Sequence, residues 1–374
     1  MEKCNKTVSV RNSSIELLRI LSMIMIVFHH FARHGEFQFL GYEMTAPKLW
    51  YNFIIMGGKI GVNIFVMISG YFLINNKSMF NFQRIKKTWD QVFFYSVGFE
   101  VLFILLYFVV KERFDLSNLL SSFFPITTSQ WWFASTYLAL YLVHPFLNKI
   151  LVSLDKTTYR NVLLIAFLCW SVIPTFTKSS YESNELLWFI FIYSLSGYIR
   201  LYGFNPKYKN YHYAITALAV TGLTYLTSIA ISLIASKISD FNLESTYFYS
   251  MQSLLSLIIS VCAFMMFALT DMKSSRFINT TASATFGVYL IHENHYLRNI
   301  FWQTIFKNSG YQDSLMIIPV SIVAVISVYV LCTVIELIRQ YVFEKTFAKI
   351  TDVLFVPFKK ILSVAANCFT KLFG

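Results

Sequence analysis

Apolar residues come in runs of about 20, and these runs follow one another along nearly the whole chain. As an α-helix, at ~1.5 Å per residue, a run of that length crosses the ~30 Å hydrocarbon core of a bilayer. Ten such runs are present, over 15–34, 52–74, 89–110, 131–152, 162–177, 186–203, 213–236, 247–270, 282–302 and 315–338. A bilayer core offers the backbone no water, so segments of this kind satisfy their amide and carbonyl groups as helices. The expected fold class is therefore all-α, a polytopic membrane helix bundle of about ten transmembrane helices. The fifth run is short, and Pro174 is expected to end it. Composition agrees: 56% of the 374 residues are hydrophobic and 13% are charged, where a soluble domain carries about 25% charge.

The net charge of +12 does not point to nucleic acid, because the basic residues sit in short loops between apolar runs. With ten spans both termini share one side. If that side is cytoplasmic, the inner segments hold 21 Lys and Arg and the outer loops 7. This asymmetry places both termini in the cytoplasm. The domain reading is a cytoplasmic segment 1–14, a membrane domain 15–338, and a basic amphipathic tail 339–374 on the cytoplasmic leaflet. Glu16 and Arg19 interrupt the first run and no small-residue cleavage site follows it, so it reads as a retained span rather than a signal peptide. Cysteines 4, 169, 262, 332 and 368 show neither disulfide nor zinc spacing.

Four ionisable side chains occupy the first run, "SIELLRILSMIMIVFHHF". Ionisable groups inside a membrane are costly and face a bundle interior or a water-filled cavity. Arg19 and His30 are eleven positions apart, which at ~100° per residue is three turns plus ~20°, so they share a face. Glu16 falls within ~40° of His30 on that stripe, and His29 points ~80° away from Arg19. Along the axis Arg19 and His30 stand ~16 Å apart. The stripe offers a cation at one end and a titratable base at the other. A purely structural alternative is an interfacial Glu16–Arg19 ion pair with both histidines near the headgroups.

The stretch "IELLRILSMIMIVFHH", with Arg, ten residues and His, resembles the opening of the acyltransferase-3 family, bacterial integral-membrane enzymes that O-acetylate surface polysaccharides and related glycans. "GGKIGVNIFVMISGYFLI" (57–74), "WWFASTYLALYLVHPFL" (131–147) and "TFGVYLIHENHYLR" (285–298) continue the resemblance in order. It implies a multi-pass protein of a bacterial plasma membrane. It also implies acetyl-CoA as a donor bound from the cytoplasm, and a hydroxyl of a polysaccharide or lipid-linked glycan as acceptor. By the same resemblance Arg19 and His30 match the family's essential pair.

Acyl transfer to a hydroxyl needs a base, oxyanion stabilisation and a hold on the thioester. His30 is the candidate base, since histidine titrates near neutral pH. Glu16 and His29 complete the catalytic candidates, and an acyl-His route stays open. Arg19 is the leading donor-orienting residue. Lys77, Arg84, Lys86 and Lys87 form a basic cluster for donor phosphates, although a topology signal accounts for them equally. Ser69 is a candidate oxyanion donor or tunnel wall, with close helix packing as the simpler reading. Lys59 and Asn63, at i and i+4, are candidate acceptor contacts. His292 and Glu293 are candidate walls of the acceptor cavity. Trp131, Trp132 and Tyr137 are candidates for stacking on sugar rings, or equally for an aromatic belt. The order His-Glu-Asn-His at 292–295 departs from the His-Glu-x-x-His zinc pattern, and no metal is expected. A transporter or flippase without chemistry is the alternative, weakened by the lack of an inverted repeat between 1–160 and 161–338. Oligomeric state is left open.

Overall fold

The computed structural model describes residues 12–40, 43–76, 82–110, 116–177, 179–203, 205–238, 243–353 and 364. Helix makes up 80%, with no strand among the described residues. The α-helices are α1 Ser13–Arg33, α2 Ala46–Leu73, α3 Phe82–Val110, α4 Leu116–Ser122, α5 Trp132–Ser153, α6 Lys156–Phe167, α7 Ile173–Thr177, α8 Glu185–Tyr202, α9 Asn210–Ala235, α10 Leu254–Ala268, α11 Arg276–Ser283, α12 Thr285–His292, α13 His295–Asn299 and α14 Ile317–Ile338. The chain divides into two compact units, Met1–Phe80 with Ala139–Thr333, and Asn81–Leu138 with Val334–Gly374.

Among the described residues six helical stretches are long and apolar enough to cross a membrane: Ser13–Arg33, Ala46–Leu73, Gln83–Leu106, Lys156–Thr177, Asn210–Ala235 and Ile317–Val353. This is fewer than the ten read from the sequence, for three reasons. The runs 131–152 and 186–203 do form α5 and α8, but His144, Asn148 and Lys149 in one and Glu185 and Arg200 in the other dilute their apolar character. The run 247–270 contains only the 15-residue α10. The run 282–302 is broken, because the Asn294 side chain accepts the backbone N–H groups of Tyr296 (3.1 Å) and Leu297 (3.4 Å) and so starts a new helix, α13, straight after α12. The fifth run also differs: Pro174 does not end it. A wide π turn over Leu168–Val172 precedes the proline, and the chain stays helical to Thr177.

In the first unit α1 starts on a firm cap, with Asn12 Oδ1 accepting from the backbone of Ser14 (3.0 Å) and Ile15 (3.3 Å). It packs against α2 at close range because α2 turns glycines toward it. A Cβ at Gly58 would stand 2.3 Å from His29 Cγ, and one at Gly61 would stand 2.7 Å from the Ser22 carbonyl oxygen. Small residues at such seams let membrane helices touch backbone to backbone. Further along α2, a Cβ at Gly70 would meet Ser196 Oγ at 2.2 Å and the Tyr193 carbonyl oxygen at 2.6 Å, both on α8. The backbone carbonyl cannot swing aside, so Gly70→Ala forces α2 and α8 apart. Overpacking of this kind costs roughly 1–3 kcal/mol, and a lowered melting temperature in detergent is the expected readout. Buried hydroxyls answer to their own helices: Ser22 donates to the Leu18 carbonyl (2.8 Å), Thr224 to Val220 (2.7 Å) and Ser260 to Ser256 (2.7 Å).

The second unit is organised around an ion pair. Glu336, fully buried, accepts from Arg339 Nε and Nη2, both at 2.8 Å. Its carboxylate also accepts from Gln91 Nε2 (3.0 Å), the Tyr95 hydroxyl (2.7 Å) and Gln340 Nε2 (2.7 Å). Five hydrogen bonds on one carboxylate offset the cost of holding the charge away from water.

Candidate functional site

At the end of α1 away from Arg19 the structure gathers a cluster of imidazoles around one carboxylate. His30 and His34 belong to α1 and the segment just after it, His292 is the last residue of α12, and Glu293 follows it at the break before α13. Because Asn294 takes over the capping of α13, the backbone turns at Glu293 and aims its carboxylate back at α1. His34 Nε2 lies 3.1 and 3.2 Å from the two Glu293 oxygens, and His30 Nδ1 lies 3.2 Å from Glu293 Oε2. Arg298 Nη1 stands 3.8 Å from Glu293 Oε1. His30 Nδ1 and His292 Nε2 are 2.8 Å apart.

These contacts fix the tautomers of the neutral rings. His292 Nδ1 faces the Val288 carbonyl at 2.6 Å, and a carbonyl only accepts, so this nitrogen carries the proton. Its Nε2 then bears a lone pair, and His30 donates to it from Nδ1. The consequence is that His30 Nε2 carries a lone pair, the condition for a base. His29 is fixed in the same way by another partner, with Nδ1 donating to the Ile55 carbonyl at 2.7 Å. The two neighbouring histidines therefore have separate settings: His29 is tied to α2 and His30 to α12.

Among the described residues, His30, His292 and Glu293 also form a group whose ligand atoms lie within 4.8 Å of one another, close enough to consider a shared cation. Two nitrogens bound to a tetrahedral zinc at ~2.0–2.1 Å stand about 3.3 Å apart. The 2.8 Å between His30 and His292 is shorter than that and matches a shared proton.

The other residues read from the sequence divide clearly. Arg19 Nη1 pairs with Glu16 Oε2 at 3.2 Å; Arg19 is half-buried and Glu16 is buried. Lys59 lines a cavity beside His29. Asn63 is completely buried: its Nδ2 donates to the Met251 carbonyl (2.9 Å) and its Oδ1 accepts from Trp188 Nε1 (2.8 Å), so it locks helices together. The Ser69 hydroxyl donates to the Phe65 carbonyl (3.0 Å) one turn back. Lys86 is engaged by Asp90 (2.7 Å), the Thr351 hydroxyl (2.7 Å) and the Ala348 carbonyl (2.9 Å). Lys87 reaches Glu344 at 2.7 Å, Arg84 is exposed, and Lys77 lies outside the described residues. Trp131, Trp132 and Tyr137 belong to the second unit, where Phe133 stacks on Tyr137 (5.8 Å). His34 was not singled out in the sequence; its position one turn after His30 was the available signal.

A family model described as an acyltransferase domain, of the acyltransferase-3 family, matches residues 12–337. That range contains the His30 cluster, Arg19 and all four motifs quoted above. Comparison with curated proteins gives no match, and comparison with solved structures gives none. With most of its length matched and several membrane-length apolar helices, the chain belongs to the acyltransferase-3 family and is a multi-pass membrane acyltransferase.

Proposed function

We propose that the protein is an O-acetyltransferase that moves an acetyl group from cytoplasmic acetyl-CoA to a hydroxyl of a cell-surface polysaccharide or lipid-linked glycan, with His30 as general base. The observation that carries this reading is the hydrogen-bonded line from the Val288 carbonyl through His292 to His30, which leaves His30 Nε2 as a lone pair. In the reaction the acceptor O–H gives its proton to Nε2 as its oxygen bonds to the thioester carbonyl carbon. The tetrahedral intermediate then expels the CoA thiolate, which takes the proton back from the imidazolium. Glu293, 3.2 Å from His30 Nδ1, stabilises the imidazolium formed on the way. His292 and Glu293 thus act as positioning residues for His30 rather than as cavity walls.

Arg19, ~16 Å down the same helix, orients the donor, and Glu16 holds its guanidinium. The 21 to 7 charge asymmetry of the ten-span reading supports a cytoplasmic place for that end, where CoA is found. Detergent-purified protein supplied with radiolabelled acetyl-CoA and glycan extract tests the reading. Wild type is expected to label the glycan, and Arg19→Lys to do so at least tenfold less, with a raised KM for acetyl-CoA, because an ammonium lacks the guanidinium fork. Unchanged donor KM and turnover in Arg19→Lys would remove the donor role. Glycan that reaches the cell surface only when the protein is present, yet never carries label, would replace the enzyme with a flippase.

A further inference from the structure

Beside His29 the first unit forms an open cavity of about 680 Å³, within the ~300–1,000 Å³ range of small-molecule sites. Its charges are lopsided. Among the described lining residues Arg33 and Lys59 are cationic, with His29 beside them, and Glu244 is the one carboxylate; Glu185 and Glu293 act on Lys59 from outside the lining. Arg33 lies one helical turn beyond His29, so the two share a face of α1. The lining also includes the segment leading into α10, which carries Tyr247 and ends at Ser253.

Ser253 is the N-cap residue of the 15-residue α10, yet its side chain makes no capping hydrogen bond. Its hydroxyl has no hydrogen-bond partner among the described residues, although the residue is only 2% exposed. A buried hydroxyl without a partner is uncommon and calls for an explanation. The N-terminal end of α10 adds the positive pole of a helix dipole to the same wall. Two cationic side chains, a helix N-terminus and an unanswered hydroxyl therefore converge on one space.

We propose that this cavity is a binding site for an anionic sugar, a residue carrying a carboxylate or phosphate whose acid group meets Arg33 and Lys59 and whose oxygen accepts from Ser253. The hydroxyl-bearing lining and the Tyr247 ring, a surface on which sugar faces stack, favour a glycan over a bare inorganic anion. His29 lines the cavity, and the His30 ring centroid is 5.5 Å from that of His29, so a sugar held here lies beside the proposed base. Calling this ligand the acetyl acceptor rests on the acyl-transfer reading; its binding does not.

The test is calorimetric titration of the full chain in detergent with methyl glucuronide, glucose 6-phosphate and methyl glucoside. One or both acid sugars are expected to bind at least tenfold more tightly than the neutral one, and which of them does so names the acid group. Arg33→Gln is expected to weaken that binding about tenfold, and Ser253→Ala severalfold. Glu244→Gln should move it the other way, tightening it severalfold, so a poorly folded Arg33 variant does not decide the matter. Equal affinity for neutral and acid sugars, absence of binding by both acid sugars, or displacement of the bound acid sugar by CoA would overturn the proposal. Acetyl-CoA hydrolysis on the same preparations separates the two readings. Selective sugar binding without any donor turnover keeps the cavity and discards acyl transfer, whereas turnover without selectivity does the reverse.

Discussion

His30→Ala is expected to lower acetyl transfer by roughly a thousandfold, the middle of the range for removing a positioned general base, with membrane expression unchanged. His29→Ala is expected to cost far less. The contrast follows from the partners of the two rings. His30 donates to His292 and faces Glu293, so its Nε2 is held as a base with a carboxylate ready to stabilise the protonated ring. His29 is tied to the Ile55 carbonyl, with no carboxylate within hydrogen-bond reach among the described residues. Glu293→Gln separates positioning from packing: it keeps the shape and removes the charge, and should lower kcat about tenfold or more while leaving donor KM near wild type. The assay is label transfer with proton NMR of the acetylated glycan. Equal losses for His29→Ala and His30→Ala would contradict the assignment of the base.

The largest expected effect on stability lies at a different place, Arg339. Replacing it with Ala leaves the Glu336 carboxylate buried with its bidentate cation gone, and breaking one side of a buried pair costs about 3–5 kcal/mol. Replacing both Glu336 and Arg339 with Gln and Met should be milder than Arg339→Ala alone, because no charge is stranded. Thermal unfolding in detergent followed by fluorescence measures both. A double variant less stable than the single one would mean that the pair contributes more than mutual neutralisation.

The parts of this site that repeat along one helix were legible in the sequence, and those that depend on distant segments were not. Helical arithmetic placed Arg19 and His30 on one stripe and set His29 apart, and the structure gives the two histidines different partners. The same arithmetic had no means of showing that His292, 262 positions away, would meet His30. Asn63 looked like an acceptor contact because it follows Lys59 by one turn, but the pattern could not reveal Trp188 and Met251 closing over it. Other contacts of the fold lie in local spacing. Lys86 has Asp90 four residues on, and Glu336 has Arg339 three residues on, both at helical contact spacing. The break after Glu293 was hidden by the apolar stretches 287–291 and 300–302 on either side of the polar run 292–295, in which the Asn294 side chain readily caps a new helix.

The glycine seam between α1 and α2 has a consequence for how such an enzyme can move. At Gly58 and Gly61 the seam leaves α2 no room for a side chain, and it is filled from α1 by His29, Ile26 and the Ser22 carbonyl. A slide by a single residue, ~1.5 Å, would drive one backbone into the other. The proposed base thus sits on a closely packed two-helix seam, while the groups that hold it, His292 and Glu293, come from the α12–α13 break. A shift at that break would change the partners of His30 without changing its place on α1, so the position of the proposed base and its hydrogen-bonded setting are carried by different segments.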